Sequence, residues 1–246
     1  MKHIKLFLLN FILILCLAAC GTTPGTESTD SGTVQPDHAA DAGMAASDVT
    51  GSVQPGMEGN ALIAYFAYSE NIGDTSGMTA DAIASASLGQ STGNESGNLQ
   101  VIAQTIQEQT GGDVHSILVT EPYDPVYEVM RDRAYDEMDN GILPELQSQT
   151  EGMDQYDIVY LGMPVWAGQM PAPVAAFLTE NDLAGKTILP FSINLGSGFG
   201  HAKSQIEELC PDAVVMDAFT VRADADNDDV RLEVRTWLEE ADDSGS

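Results

Sequence analysis

Two short triplets, each made of a hydroxyl residue, a glycine and an asparagine, precede an apolar-periodic segment of the chain. They are Thr92-Gly93-Asn94 and Ser96-Gly97-Asn98, and the periodic segment follows at residues 99–109. The start of a helix attracts anions, because its first N–H groups have no partner within the helix and its dipole is positive there. Since only the second triplet adjoins the periodic segment, we predict a phosphate-type anion site at Ser96, Gly97 and Asn98.

Glu95 lies between the two triplets. A carboxylate that faced a bound dianion at short range would be strongly repelled, so we expect this side chain to point to solvent or to a backbone amine. The alternative interpretation is that residues 92–98 form only a turn and a helix cap, because Ser, Thr and Asn are favoured at both.

Three polar or glycine-rich loops each follow a short apolar run. The first is about thirty residues long and follows ALIAYFA at residues 61–67, whereas the others are PVWAGQMP from Pro164 and NLGSGFGH from Asn194. Long loops in compact domains are usually functional or disordered. The glycines of the third loop would let its backbone approach a ligand closely.

Short apolar runs alternate with helical patterns from Ala61 to the end of the chain. This alternation predicts a doubly wound α/β domain with five parallel strands and helices on both faces of the sheet. The predicted strands are residues 61–67, 113–120, 156–166, 186–194 and 213–219, and the predicted helices are 98–112, 125–138, 172–181, 201–211 and 228–240. In such sheets ligands bind beyond the carboxyl ends of the strands, so all three loops should meet at one edge.

The first nineteen residues have the features of an export signal. Lys2 and Lys5 precede an apolar segment that is short for a membrane span, and LAAC ends at Cys20. This motif resembles the lipobox of bacterial lipoproteins, which implies that Cys20 is lipidated; the alternative is an ordinary signal peptide. We therefore expect a signal peptide at 1–19, a lipidated, disordered tether at 20–60, one domain at 61–241, a disordered tail at 242–246 and an extracytoplasmic, lipid-anchored location.

The charge of the chain is strongly acidic, with 38 Asp and Glu against 9 Lys and Arg. This balance disfavours a nucleic-acid partner, because the chain lacks a basic stripe to neutralise phosphates. Solubility and the steering of a basic partner both remain open as reasons for the acidity. Once Cys16 is removed and Cys20 is lipidated, Cys210 is the single remaining cysteine, and we expect it to pack in the core.

The three loops, taken in order, resemble those of the flavodoxin family. The segments that carry the resemblance are ALIAYFAYSEN, SGNLQVIAQTIQEQTGG, YDIVYLGMPVWAGQMPAPVAAFL and KTILPFSINLGSGFGHAKSQIEELCP, and it extends from Ala61 to about Glu240. The closest pattern is a flavodoxin-like domain with a lengthened first loop. The resemblance implies the strand order 2-1-3-4-5 and flavin mononucleotide (FMN) bound at the carboxyl edge of the sheet.

The first loop departs from the family's phosphate-binding pattern. Ser69 and Asn71 remain beside the first strand, but Ala67, Glu70 and Ile72 stand where hydroxyl residues and a glycine are expected. The second triplet restores the glycine and the asparagine, although Leu99 follows in place of threonine. We interpret this pattern as one phosphate loop divided by an insertion of roughly 25 residues, with the two halves meeting in the fold.

The resemblance also assigns the other two loops to the flavin ring. Trp166 would cover the ring and Ala167-Gly168 would lie near its reactive nitrogen, whereas the third loop would donate N–H groups to the pyrimidine oxygens. Core packing of Trp166 is the alternative. The expected ring contacts are Pro164, Val165, Trp166, Ala167, Gly168, Asn194, Gly196, Ser197, Gly198 and Phe199. Tyr123, Tyr127 and Trp237 are expected to pack, and His201 is expected either near the ring or at a solvated helix start.

The expected function is electron transfer, or reduction of a small acceptor such as a quinone, at the outer face of a membrane. The flavin would carry the chemistry, so we assign no catalytic and no metal-ligating residue. The partner would be a small molecule or a redox protein, basic or membrane-bound, and the chain itself would touch the membrane only through Cys20. A cofactor-free binding or scaffold module is the alternative, whereas a hydrolase is disfavoured because LGSGFG lacks the Gly-x-Ser-x-Gly spacing.

Overall fold

A computed structural model describes residues 59–74 and 97–244 of the 246-residue chain. Its parallel sheet has the order β2-β1-β3-β4-β5, which confirms the predicted fold class and strand order. The strands are β1 (Ala61–Tyr65), β2 (Asp113–Ser116), β3 (Ile158–Pro164), β4 (Thr187–Asn194), β5 (Val214–Val215) and β6 (Phe219–Arg222), and the helices are α1 (Asn98–Thr110), α2 (Tyr127–Asn140), α3 (Ala172–Glu180), α4 (Ala202–Leu209) and α5 (Asn227–Ser244).

Helices cover both faces of the sheet because its central strands are apolar on both sides. Every residue of β1 and of β3 is buried, as expected for parallel strands between two helical layers. One core cluster joins the sheet to α1 and α5, and a second joins it to α2, α3 and α4. The α1 helix ends where Gly111 adopts the left-handed conformation, so the predicted glycine stop is confirmed.

The predicted fifth strand, residues 213–219, contains β5 and only the first residue of β6, and both of these strands pair with β4. Val215 pairs with Ile188 and Phe219 pairs with Phe191, so three residues of one strand lie opposite only two of the other. An extra residue in one of two paired strands interrupts the ladder of hydrogen bonds between them. Pro190, which has no N–H to donate, lies in the interrupted stretch of β4.

Among the helices of the described residues, none combines the length and the apolar character that crossing a bilayer requires. The expected signal peptide, tether and tail lie outside the described residues, apart from residues 59–60 and 242–244. The domain boundaries therefore stay predictions.

Candidate functional site

A cleft of about 370 Å³ opens at the carboxyl ends of β3 and β4. Its volume is in the range usual for small-molecule sites. Its lining residues come from the ends of both strands and from the loops that follow them: Pro164, Val165, Ala167, Gly168, Ile193, Asn194, Leu195 and Ser197. Six of these eight residues are predicted ring contacts, and only Ile193 and Leu195 are additions.

The second loop makes a tight turn at one side of the cleft. Trp166 N–H donates to the Gln169 carbonyl at 3.0 Å, and Gln169 N–H donates to the Trp166 carbonyl at 2.9 Å. The two central residues have positive φ angles, 51° at Ala167 and 79° at Gly168. The left-handed conformation is natural for glycine but costs an alanine about 1–2 kcal/mol. The turn therefore stores strain at Ala167, which lines the cleft together with Gly168.

The second and third loops are joined directly by their backbones. His201 N–H donates to the Gly168 carbonyl at 2.7 Å. A Cβ atom added to Gly200 would lie 2.3 Å from the Gly168 oxygen and 2.8 Å from its Cα, and Gly200 has a φ angle of +57°. Only glycine fits at this contact. Gly200 is not among the expected ring contacts, because nothing in a single sequence shows which glycine of a glycine-rich loop meets a second loop.

The side chain of Asn194 organises the third loop. Its Oδ1 accepts hydrogen bonds from Gly196 N–H at 2.7 Å and Gly198 N–H at 3.1 Å. Its Nδ2 donates to the Val221 carbonyl of β6 at 3.2 Å. In this conformation the two glycine N–H groups that we expected to donate to the flavin ring are bonded to Asn194 instead. The asparagine therefore shapes the loop that borders the cleft.

Trp166 points away from the cleft and into the core. The residue is 8% exposed and does not line the cleft. It makes edge contacts with Phe66 and Tyr123, each with ring centroids 5.5 Å apart, and with Tyr68 at 6.4 Å. This conformation matches the alternative of core packing, and stacking of the indole on a ring stays a prediction. Phe199 is partly buried against the same core cluster.

In the first loop, the Glu70 carboxylate is held beside the first turn of α1. It accepts hydrogen bonds from Tyr65 Oη at 2.9 Å, from Ser116 Oγ and from Gln100 Nε2. Burial, reinforced by Glu70, raises the pKa of Tyr65 well above its usual value. The sequence marked Glu70 as a departure from the family pattern, but it did not reveal these three partners.

At the start of α1, much of the predicted phosphate site is already hydrogen-bonded. Gly97 N–H donates to Gln100 Oε1 at 3.0 Å, and Asn98 Nδ2 reaches the carbonyls of residues 222, 223 and 225 at 3.0–3.2 Å. The backbone N–H groups of Asn98 and Leu99 have no acceptor within the helix. Ser96, Glu95 and the first triplet lie outside the described residues, so the structure gives no orientation for Glu95.

The two predicted residues beside β1 have different environments. Asn71 is buried and fully engaged: Nδ2 donates to the Ala67 and Ile117 carbonyls, and Oδ1 accepts from Val119 N–H at 2.8 Å. It therefore ties the first loop to the segment after β2. By contrast, the buried Ser69 Oγ has no hydrogen-bond partner. Buried hydroxyls are seldom left unpaired, so the unpaired Ser69 Oγ sets this residue apart from Asn71.

Tyr123, which packs against Trp166 in the core, belongs to a buried polar cluster. Its hydroxyl donates to Glu137 Oε2 at 2.6 Å, Arg133 Nε donates to Glu137 Oε1 at 2.7 Å, and the guanidinium lies 4.3 Å from the Tyr123 ring centroid. Burial, followed by the hydrogen bond to Glu137, raises the pKa of Tyr123 far above its usual value. The expectation that Tyr123 packs is confirmed.

Four further expectations concern residues around the sheet. Cys210 is buried, as predicted. Trp237 is partly buried and packs against the core, where its ring stacks on Phe219 with centroids 4.9 Å apart. Tyr127 is exposed on α2, whereas packing was expected, and His201 is exposed at the start of α4, in agreement with the solvated alternative. No cluster of potential metal ligands was found among the residues that the structure describes.

The fold and the cleft define a flavodoxin-like α/β protein, and comparison with known proteins agrees. The profile of the flavodoxin family matches residues 91–241, so the chain belongs to the flavodoxin family. No curated protein matches it with statistical significance.

Among solved structures, the chain is similar to two candidate flavoproteins from Bacteroides. The structure from Bacteroides eggerthii is 23% identical with a TM-score of 0.54, and the two matched regions cover 74% of this chain and 97% of that one. The structure from Bacteroides uniformis is 22% identical with a TM-score of 0.53, and the coverage is 74% and 98%. At this level of identity the similarity supports the fold alone.

Proposed function

We propose that this chain binds FMN in the cleft beyond β3 and β4 and acts in electron transfer or in the reduction of a small acceptor. The observation that carries the proposal is that six residues expected to contact a flavin line one cleft at the carboxyl edge of the sheet. Membership of the flavodoxin family supports the choice of flavin over other ligands.

The residues at the ring end fit a flat aromatic ligand. Val165, Ile193 and Leu195 offer aliphatic surface, and the peptides of Ala167-Gly168 and Ser197 border the same space. Leu195 is 65% exposed, so its side chain is available to cover a bound ring. Apolar cover excludes water, and the surrounding backbone dipoles orient the ring. When bound, the flavin supplies one-electron and two-electron redox chemistry.

Few free hydrogen-bond donors lie at the start of α1, where the phosphate of FMN would bind. Ser69 Oγ is buried without a partner, and the N–H groups of Asn98 and Leu99 begin α1. These are the groups that would hold the ribityl phosphate. The Asn98 side chain serves instead to fix α1 against residues 222–225, so its role is to position the helix.

The cellular setting of the proposal comes from the sequence. Lipidation at Cys20 and a tether of about forty residues would hold the domain near the outer face of a membrane, with a typical span of roughly 35 Å. A domain held there could exchange electrons with a membrane-bound donor, a basic redox protein or a quinone. The acidic chain would steer a basic partner toward it.

Titration of the purified full chain tests flavin binding. We expect saturable quenching of FMN fluorescence near pH 7 and a yellow colour in the purified protein. Leu195→Glu should weaken FMN binding about tenfold or more, because it places a carboxylate beside the cleft. Leu232→Glu on α5 is the matched control, since both leucines are 65% exposed. Absence of saturable binding would refute the proposal.

A cofactor-free binding or scaffold module is the second candidate. It is favoured by one observation: the donors of Gly97, Asn98 and Gln100, which would surround a phosphate, are bonded to groups of the chain itself. This candidate predicts that neither FMN nor another flavin binds, and that Leu195→Glu leaves the properties of the protein unchanged.

A further inference from the structure

The chain supplies its own anion beside the start of α1. The Glu70 carboxylate accepts hydrogen bonds from two hydroxyls, those of Tyr65 and Ser116, and from the Gln100 side-chain amide. Gln100 lies in the first turn of α1, where the helix dipole favours negative charge. The favourable position for an anion at this helix is therefore partly used by a carboxylate of the protein.

The same contact removes a donor that a phosphate would use. Gln100 joins Glu70 to the N-terminus of α1, because its Nε2 donates to Glu70 and its Oε1 accepts from Gly97 N–H. The Asn98 amide is directed to three backbone carbonyls. Among the described residues of the predicted phosphate site, Ser69 Oγ and the backbone N–H groups of Asn98 and Leu99 are the donors without a partner in the chain, and all three are neutral.

No cation among the described residues compensates Glu70. None of their ion pairs involves this carboxylate. Arg222 lies at the same edge of the sheet, where its carbonyl accepts from Asn98, but its guanidinium makes two hydrogen bonds to Asp224, at 2.8 and 2.9 Å. A phosphate carries a charge between −1.5 and −2 near neutral pH, so it would meet an uncompensated carboxylate here.

We propose that Glu70 sets the flavin specificity of this chain: flavins bind through their ring, and the phosphate of FMN adds no affinity. The proposal rests on the proposed function, since it concerns the same ligand. It assigns a specificity-determining role to Glu70 and names the ligand class as flavins with or without a phosphate. Riboflavin, which is neutral, should therefore bind at least as tightly as FMN.

Calorimetric titration of the full chain with riboflavin and with FMN tests this proposal. We expect the two dissociation constants to agree within about threefold, or riboflavin to bind more tightly. Glu70→Gln keeps the size of the side chain and removes its charge, so it should tighten FMN binding about tenfold and leave riboflavin unchanged. Glu180→Gln is the charge-matched control, because Glu180 is exposed at the end of α3, at the opposite edge of the sheet.

Salt dependence of the unmodified protein provides a second measurement, which does not depend on the folding of a variant. Raising the ionic strength screens the repulsion between the phosphate and the acidic chain, so FMN binding should strengthen with salt while riboflavin binding stays constant, and the part of this dependence that is due to Glu70 is the part that Glu70→Gln removes. FMN that binds thirtyfold or more tightly than riboflavin and weakens with salt would overturn the inference while leaving the proposed function intact. If neither flavin binds, both the proposed function and this inference fail.

Discussion

Gly200→Ala should separate the two loops that form the cleft. The added Cβ would lie 2.3 Å from the Gly168 oxygen, which is far below van der Waals contact and involves backbone that cannot rotate away. The third loop would have to move, and the hydrogen bond from His201 N–H to the Gly168 carbonyl would break. Gly198→Ala is the matched control, because Gly198 also has a positive φ angle, +62°, but nothing lies within 4 Å of an added Cβ.

The expected magnitudes follow from these two environments. An alanine in the left-handed conformation costs about 1–2 kcal/mol, which is the full effect expected for Gly198→Ala. Gly200→Ala adds about 1 kcal/mol for the lost hydrogen bond. It adds a further ~1–3 kcal/mol for displacement of packed backbone. The free energy of unfolding should therefore fall by about 3–6 kcal/mol in Gly200→Ala.

Urea denaturation of the full chain and of both variants measures this difference. The slope of each transition should be unchanged, so that the shift in midpoint reports stability alone. Flavin affinity should also fall more in Gly200→Ala than in Gly198→Ala, since only the first displaces the cleft. If the two variants lose the same free energy within about 0.5 kcal/mol, the direct contact between the loops is refuted.

Three other predictions concern the turn, the tyrosines and the indole. Ala167→Gly should raise the free energy of unfolding by about 1 kcal/mol, because glycine accepts the φ angle of 51° without strain; an unchanged urea midpoint would contradict this. Burial raises the pKa of Tyr68 to about 12 from 10.0, so stability should fall as pH rises from 10 to 12, and denaturation in Tyr68→Phe should show a smaller fall. Trp166→Phe should change the FMN dissociation constant less than about threefold, because the indole does not line the cleft; a tenfold loss in the titration would show that it turns toward the ring on binding.

The order and type of the elements could be predicted because each has a local signature. The buried strands β1 and β3 are continuous apolar runs, and α1 has both an apolar face and a glycine stop. The exception is the division of the last strand. The division arises because three residues lie opposite only two residues of β4, one of which is Pro190. This register depends on how the two strands pair, so neither segment shows it alone.

The residues of the cleft could also be predicted in outline, since topology places every loop that follows a strand at one edge. The directions of their side chains could not. Trp166 has the composition expected of a ring cover, but three aromatic neighbours from other segments hold it in the core. Spacing along the sequence does not show whether a loop side chain faces the cleft or the core.

By itself, the sequence determined the class of fold, the family resemblance and the loops that follow the carboxyl ends of the strands, because these depend on local periodicity and chain order. Only the tertiary structure decided how the polar groups of those loops are used. Asn194 and Asn71 bond to backbone groups, Gly200 fits against Gly168, and Glu70 occupies the flank of α1. The physical reason is that hydrogen-bond partners and close contacts come from residues distant in sequence, and they exist only once the strands have paired and the helices have packed.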